Sequence, residues 1–325
     1  MIFHITDASQ IAAARRAAAA MGEEIGLDAD RLGRAALVVT ELATNLHKHA
    51  QQGRIILRHA NDPTGAYLDI MSVDQGPGMS NVAQASAQGY STTGTSGSGM
   101  GIIGRQADSF EVFSRADKGT VASARIFQTA PSAKVAIGAV VDNYPGEQVC
   151  GDGWLFADTA AGPTLLVVDG TGHGLLAAKA AGIAADIFTT HAEKDIVDIV
   201  ERIHGALLST RGAAVAVARI DAASRQVRFV GVGNIAGATL TGGEVKRMVS
   251  HNGTAGHLAP RIREFTYPFT SPPAVVMHSD GLSARWDLNE YPGLSVAHPS
   301  LIAGVLFRDF RRGRDDATVV CMRIA

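Results

Sequence analysis

Four acidic positions in the second half of the chain have the chemistry of a divalent-cation site. Each lies beside a glycine or another acid and next to an apolar run: Asp152, Asp169, Asp280 and Asp315. Hard cations such as Mg²⁺ and Mn²⁺ bind carboxylate and carbonyl oxygens of this kind. A single Asp-Gly pair is typical of a hairpin turn. Four acids at the edges of predicted strands favour a metal centre instead.

A second group of polar side chains lies in the first half, on a helix that apolar periodicity predicts at residues 30–50. Glu41 and Asn45 are one turn apart, and Lys48 or His49 continues the same face. Taken alone, a carboxylate, an amide and a basic group on one stripe favour a solvated surface.

Two glycine-rich segments further along the chain favour a nucleotide-binding site over a solvated surface. Residues 74–79 follow a predicted strand and contain Asp74 with two glycines, and residues 97–102 contain three more glycines. Glycines let backbone amides approach phosphate oxygens, and the start of a following helix adds its positive end. The pattern therefore predicts a phosphate-binding site beside Glu41 and Asn45.

The apolar pattern also predicts the elements that hold these groups. In the first half we expect helices at residues 7–21 and 30–50, followed by a hairpin of strands at 54–60 and 66–73. A glycine-rich loop at 74–101, a short helix at 102–108 and strands at 110–114 and 121–127 complete this half. The second half mixes many strands with long helices at residues 174–192 and 194–208. This mixture indicates two sheets packed face to face with helices outside.

A length of 325 residues predicts two domains. We place the first at residues 1–128 and the second at residues 135–325, joined by a linker at residues 129–134 that contains a proline and small residues. The expected class is α+β throughout.

The N-terminal series resembles the ATPase and kinase superfamily (GHKL or HATPase) shared by gyrase-type ATPases, histidine kinases and anti-sigma-factor serine kinases. The resemblance covers residues 1–128 and implies a Bergerat-type α/β sandwich that binds ATP with Mg²⁺. It implies that Asn45 coordinates the magnesium, that Asp74 bonds the adenine amino group and that Lys48 contacts phosphate. The remaining nucleotide contacts that it implies are Gly76 and Gly78 near the base, Gly97, Gly99 and Gly101 in the phosphate lid, and Thr120 supporting the adenine contact.

The role of Glu41 distinguishes a domain that only binds nucleotide from one that also catalyses phosphoryl transfer. Resemblance to the switch kinases of bacterial stress pathways implies that Glu41 is the base that deprotonates a substrate serine or threonine hydroxyl. The partners implied are small STAS-type antagonist proteins. The alternative is a module that binds nucleotide and a partner without catalysis.

The C-terminal acids resemble those of the SpoIIE-type branch of the metal-dependent protein phosphatases, with an α-β-β-α sandwich over residues 133–325. The resemblance implies two Mn²⁺ or Mg²⁺ ions, bridged by Asp169 and completed by Asp152, Asp280, Asp315 and the Gly170 carbonyl. It implies hydrolysis of phosphoserine or phosphothreonine by water. Residues 153–156 lack the second acid that many members have after the first motif. His173 is equally consistent with a phosphate-contacting and with a structural role.

Composition excludes several other classes. A net charge of −2 gives no basic field for a nucleic-acid backbone, so we expect no nucleic-acid partner. The two cysteines, Cys150 and Cys321, lack the paired spacing of zinc sites, and we expect both to be reduced. With no apolar run of membrane-spanning length, we expect a cytoplasmic protein that does not contact a membrane.

Overall fold

The computed structural model describes residues 1–62, 65–80, 82, 99–129, 135–259 and 261–324. The chain divides into two units, Met1–Ala133 and Lys134–Ala325. The last strand of the first unit ends at Phe127, and the first strand of the second begins at Val135. Within the described ranges, no helix is both long and apolar enough to cross a membrane.

The first unit is one antiparallel five-stranded sheet with the order β1-β2-β3-β5-β4. Its strands are β1 (Ile2–His4), β2 (Arg54–Asp62), β3 (Gly65–Val73), β4 (Ser109–Arg115) and β5 (Gly119–Phe127). Its described helices are α1 (Ala8–Glu24), α2 (Ala29–His49) and α3 (Gly99–Gln106). Buried side chains of α1, α2 and the sheet form one hydrophobic core.

Local sequence explains where the helix with the candidate residues begins and which face it buries. The Asp28 side chain accepts a hydrogen bond from the Arg31 N–H and caps the first turn of α2. Leu42, Ala43 and Leu46 are buried against the sheet. Burial of this apolar stripe leaves the polar face between those positions available for a ligand.

The structure corrects the predicted start of the third helix. Helix α3 begins at Gly99, three residues earlier than predicted, so Gly99 and Gly101 lie in its first turn and not in a loop. The low helix propensity of glycine explains the error, because tertiary contacts override propensity at a helix start. Gly97, the other predicted lid residue, lies outside the described residues, as do residues 130–134 of the predicted linker. The short strand β1 was not predicted.

The second unit contains two antiparallel five-stranded sheets, with the orders β13-β10-β9-β8-β7 and β12-β11-β14-β15-β6. The strands that bear on the site are β6 (Val135–Asp142), β7 (Asp152–Thr159), β8 (Gly162–Gly170), β9 (Ala213–Asp221), β10 (Gln226–Val232), β11 (Ala236–Thr241), β14 (Ala274–His278) and β15 (Ala317–Ile324). Two short strands, β12 (Glu244–Met248) and β13 (Phe265–Pro268), were not predicted.

Two hydrophobic cores hold this unit in four layers. Alternate residues of both sheets, such as Leu165, Phe229 and Met277, form the core between the sheets. Helices α4 (Leu175–His191) and α5 (Ile196–Ala206) cover the outer face of the first sheet, and α6 (Pro299–Phe310) packs on β6 and β15. The predicted α+β class, with an α-β-β-α sandwich following an ATPase-like domain, is confirmed.

Candidate functional site

The acidic residues of the second unit lie at the ends of strands from both sheets. Asp152 begins β7 and pairs directly opposite Asp169, near the end of β8. Asp280 follows β14 by two residues, and Asp315 precedes β15 by two. Strands β14 and β15 are hydrogen-bonded neighbours. The fold thus places all four predicted acids at strand ends.

These carboxylates also influence one another electrostatically. Burial, together with the nearby charges of Asp152, Asp280, Asp315 and Asp316, raises the pKa of Asp169 to about 9. Burial likewise raises the pKa of Asp152 to about 7, although the Ser279 hydroxyl opposes that rise. The pKa of Asp315 is also raised, first by burial and then by Asp280. Mutual repulsion of this kind is typical of a site that binds cations.

Hydrogen bonds from neighbouring side chains orient two of the acids. The Ser279 hydroxyl, fully buried, donates to Asp152 Oδ2 at 2.6 Å. The Asn234 amide donates to Asp280 Oδ2 at 2.7 Å. Sequence reasoning assigned no role to either residue, although both stand in segments that resembled the phosphatase family. Their proximity to the acids comes only from the fold.

Asp316 was also missed, and its role differs from that of Asp315. It is 2% exposed and accepts hydrogen bonds from the backbone N–H groups of Gly151 at 3.0 Å and Tyr144 at 2.7 Å. This carboxylate therefore ties the approach to β7 to the start of β15. The doubled acid at residues 315–316 was its sequence signal, since adjacent residues at a strand point to opposite sides.

The glycines beside the acids serve close packing and not hairpin turns. A methyl group on Gly170 would lie 2.2 Å from the Ala177 carbonyl oxygen, and one on Gly281 would lie 1.9 Å from the Asp316 carbonyl oxygen. Neither glycine has a positive φ. The Asp-Gly pairs therefore bring the backbone of helix α4 and the start of β15 against the acidic centre.

The residues present fit a divalent cation. Asp152 Oδ1 is buried and has no hydrogen-bond partner among the described residues, which leaves a carboxylate oxygen available for a metal. In the described ranges, no three His, Cys, Asp or Glu side chains are already close enough to hold an ion by themselves. The predicted ligands also include the Gly170 carbonyl, which is not a side chain.

His173 lies on the rim of the same centre. Its Nδ1 is 2.8 Å from Glu147 Oε1, and its ring stacks on Tyr144 with a centroid separation of 4.1 Å. It is close enough to Asp315 to oppose slightly the rise in that residue's pKa, which burial dominates. The ring is therefore held in one orientation near the acids.

In the first unit, Glu41, Asn45 and Gly99 come together. A methyl group on Gly99 would lie 3.0 Å from Glu41 Oε2 and 3.6 Å from both side-chain amide atoms of Asn45. The first turn of α3, with its free backbone N–H groups, therefore stands over the polar face of α2. Lys48 is exposed in the last turn of α2.

The predicted base-binding residues form a hydrogen-bonded corner between β3 and β5. Asp74 Oδ1 accepts hydrogen bonds from the N–H of Gly76 at 2.7 Å and of Thr120 at 3.3 Å. The Thr120 hydroxyl is 2.8 Å from the Ser114 hydroxyl. Gly78 has a φ of +67° and packs so closely on the Arg115 carbonyl that a side chain there would clash. The corner is thus fixed by backbone contacts.

Together, the two units define a class of protein in which a histidine-kinase-like ATPase domain is joined to a PP2C-type phosphatase domain. Residues 161–325, half of the chain, match the family model of stage II sporulation protein E (SpoIIE), and residues 5–126 match that of the histidine kinase-like ATPase domain. The chain belongs to the SpoIIE family.

Similarity to individual proteins agrees with this assignment. Serine/threonine-protein kinase RsbT of Bacillus subtilis (strain 168) is 32% identical over 110 residues, which are 34% of this chain and 83% of RsbT. A structure described as "The bacterial stressosome: a modular system that has been adapted to control secondary messenger signaling" is 26% identical, with a TM-score of 0.54, over 59% of this chain and 100% of that one.

The fold is also that of the SpoIIE phosphatase domain with a fragment of its regulatory domain from Bacillus subtilis. That structure has a TM-score of 0.51 at 18% identity and covers 97% of this chain and 92% of its own. This chain therefore combines a PP2C-type phosphatase domain of the SpoIIE family with an RsbT-like, kinase-related ATPase domain.

Proposed function

We propose that this protein is a bifunctional signalling regulator that sets the phosphorylation level of proteins in a partner-switching pathway. Its first unit phosphorylates a serine or threonine on a small STAS-type antagonist protein, and its second unit removes phosphate from phosphoserine or phosphothreonine. The observation that carries the proposal is the convergence of four acids at the ends of β7, β8, β14 and β15, with a buried, unpaired oxygen on Asp152.

In the phosphatase unit, Asp152, Asp169, Asp280, Asp315 and the Gly170 carbonyl would hold two Mn²⁺ or Mg²⁺ ions. Such ions, when bound, supply Lewis-acid activation of water and neutralise the charge of the phosphate. The contacts from Ser279 and Asn234 orient two of these carboxylates before binding. No cysteine nucleophile is required, and burial raises the pKa of the Cys150 thiol, which disfavours its reactive thiolate.

In the kinase unit, Asn45 would hold the Mg²⁺ of ATP, with Lys48 and the glycines at the start of α3 near the phosphates. Asp74 would accept a hydrogen bond from the adenine amino group. The N–H groups of Gly76 and Thr120 hold its carboxylate in place. Glu41 lies one turn from Asn45 and would orient and deprotonate a substrate hydroxyl. Phosphoryl transfer of this kind depends mainly on positioning and charge neutralisation.

The phosphatase assignment is tested by Asp169→Ala. We expect this variant to lose Mn²⁺-dependent release of phosphate from a phosphoserine protein, while circular dichroism shows an intact fold. Unchanged phosphate release would contradict the site assignment.

The kinase assignment is tested by Glu41→Ala with γ-labelled ATP and a candidate antagonist protein. We expect the wild-type protein to transfer label to the antagonist protein and Glu41→Ala to transfer none. Calorimetry should show that Glu41→Ala binds ATP as the wild-type protein does. If the wild-type protein binds ATP but transfers no label, the first unit senses nucleotide or docks a partner without catalysis.

A further inference from the structure

Four exposed leucines lie in three segments of the second unit. Leu175 is 77% exposed and Leu176 is 53% exposed at the start of α4, while Leu208 and Leu258 are 63% and 68% exposed. Among the described residues, eight large apolar side chains are exposed in all. Half of them belong to this group, which we call the leucine rim. Exposed apolar groups that cluster in this way mark interaction surfaces.

Backbone contacts hold the three segments of the leucine rim side by side. The Thr171 N–H donates to the Gly212 carbonyl at 3.0 Å, which joins the loop before α4 to the loop before β9. Ala213 and Ala255 exchange two backbone hydrogen bonds. A methyl group on Gly256 would lie 2.6 Å from the Leu207 carbonyl oxygen. The rim is therefore a continuous set of neighbouring loops.

The leucine rim borders the acidic centre directly. Ala177, in the first turn of α4, touches both Gly151 and Gly170, since methyl groups on those glycines would lie 2.7 Å and 2.2 Å from its atoms. Leu175 and Leu176 precede this contact immediately in the chain. The first turn of α4 therefore carries two exposed leucines next to a residue that packs against the acidic centre.

An exposed arginine lies beside the loop that joins Asp169 to α4. The Arg211 guanidinium reaches to within 3.3 Å of the position that a methyl group on Gly172 would occupy. A cation at this place complements a phosphate group that approaches with an apolar surface around it.

We propose that the leucine rim is the docking surface for the phosphatase substrate, a protein whose phosphorylated serine or threonine is flanked by apolar side chains. This inference rests on the proposed phosphatase function. The phosphate meets the acidic centre and Arg211, and the flanking side chains cover Leu175, Leu176, Leu208 and Leu258. Selectivity between phosphoproteins then comes from apolar contact at the rim, because the phosphate itself is common to all of them.

The test compares two synthetic phosphoserine peptides, one with leucines and one with serines on both sides of the phosphoserine, with p-nitrophenyl phosphate as a substrate too small to reach the rim. We expect wild-type kcat/KM to favour the leucine peptide by about tenfold, as burial of one leucine side chain provides. Leu175→Ser and Leu258→Ser should reduce this preference to about twofold and leave p-nitrophenyl phosphate hydrolysis unchanged.

Val296→Ser is the matched control, because Val296 is 70% exposed in the same unit and lies outside the rim segments. It should retain the wild-type preference. Equal kcat/KM for the two peptides in the wild type, or the same loss in Val296→Ser as in Leu175→Ser, would overturn the proposal. So would a wild-type dimer in sedimentation that Leu175→Ser converts to monomer, since a second copy would then cover the rim.

Binding of the fluorescein-labelled leucine peptide, measured by anisotropy, separates this inference from the proposed function. Absence of Mn²⁺-dependent hydrolysis with retained, Leu175-dependent peptide binding would contradict the phosphatase function and support the docking surface. Hydrolysis of p-nitrophenyl phosphate without preferential binding of the leucine peptide would support the phosphatase function and contradict the docking surface.

Discussion

The hydroxyl of Ser279 donates a 2.6 Å hydrogen bond to Asp152 Oδ2, and the Thr318 N–H donates to the same hydroxyl at 3.0 Å. This arrangement fixes one oxygen of a buried carboxylate and leaves the other, Oδ1, without a partner in the described part of the chain. An acid held in this way is ready to bind a cation through its second oxygen.

Ser279→Ala should weaken Mn²⁺ binding by about tenfold or more, the usual effect of removing a residue that orients a metal ligand. The hydroxyl lowers the pKa of Asp152. Without it, a proton competes more strongly with the cation for this carboxylate. Calorimetric titration with Mn²⁺ measures the change. Ser283→Ala serves as the control, because the hydroxyl of Ser283 accepts only a backbone hydrogen bond from Arg285 in the nearby loop. Equal affinities for the two variants would contradict the role of Ser279.

Asp169→Asn should stabilise the metal-free protein at neutral and alkaline pH. Folding raises the pKa of Asp169 from 3.8 to about 9, so the folded state favours the protonated acid. Its contribution to stability is therefore present at low pH and is lost as the pH rises towards 9. Thermal unfolding in chelator between pH 5 and pH 9 should show a smaller decline of Tm for the variant.

The control for that experiment is the same series with saturating Mn²⁺. The cation should raise the Tm of the wild-type protein, because it binds the folded state, and should raise that of Asp169→Asn much less. A parallel decline of Tm in both proteins without metal would show that Asp169 is not the group responsible.

Gly99→Ala should slow phosphoryl transfer more than it weakens ATP binding. The new methyl group would lie 3.0 Å from Glu41 Oε2, so the carboxylate has to move, whereas the amide of Asn45 remains at 3.6 Å. Gly104→Ala is the matched control in the same helix, because its methyl group would meet only Phe110 at an ordinary 3.7 Å. Single-turnover transfer and equilibrium ATP binding measure the two effects. A larger loss in Gly104→Ala would exclude the steric explanation.

Asp74→Asn should weaken ATP binding by about tenfold while preserving the fold, since a misplaced polar partner in a site costs about 1–3 kcal/mol. An amide oxygen can still accept the hydrogen bonds from Gly76 and Thr120, but an NH₂ group then replaces the second carboxylate oxygen. Comparing ATP with a purine nucleotide that lacks the 6-amino group tests the cause. Equal losses for both nucleotides would count against an adenine contact at Asp74.

Features that depend on local pattern could be predicted from the order of the residues. The helix that carries Glu41 and Asn45 was predicted within one residue of its observed bounds, because its apolar stripe and its Asp28 cap are properties of consecutive residues. Four acids at strand ends and the layered class of the second unit followed from the same kind of pattern, together with family resemblance. Assignment of roles to the predicted site residues remains a proposal that the variants above test.

The side chains that complete the acidic centre could not be predicted in this way, because they come together only in the folded protein. Ser279 is 127 positions from Asp152, Gly151 is 165 from Asp316, and Asn234 is 46 from Asp280, so no periodicity in the sequence relates them. The leucine rim has the same origin, since its three segments meet through backbone hydrogen bonds and close contacts between distant loops. Packing of two sheets and a helix brings these groups together, and that packing depends on the whole core.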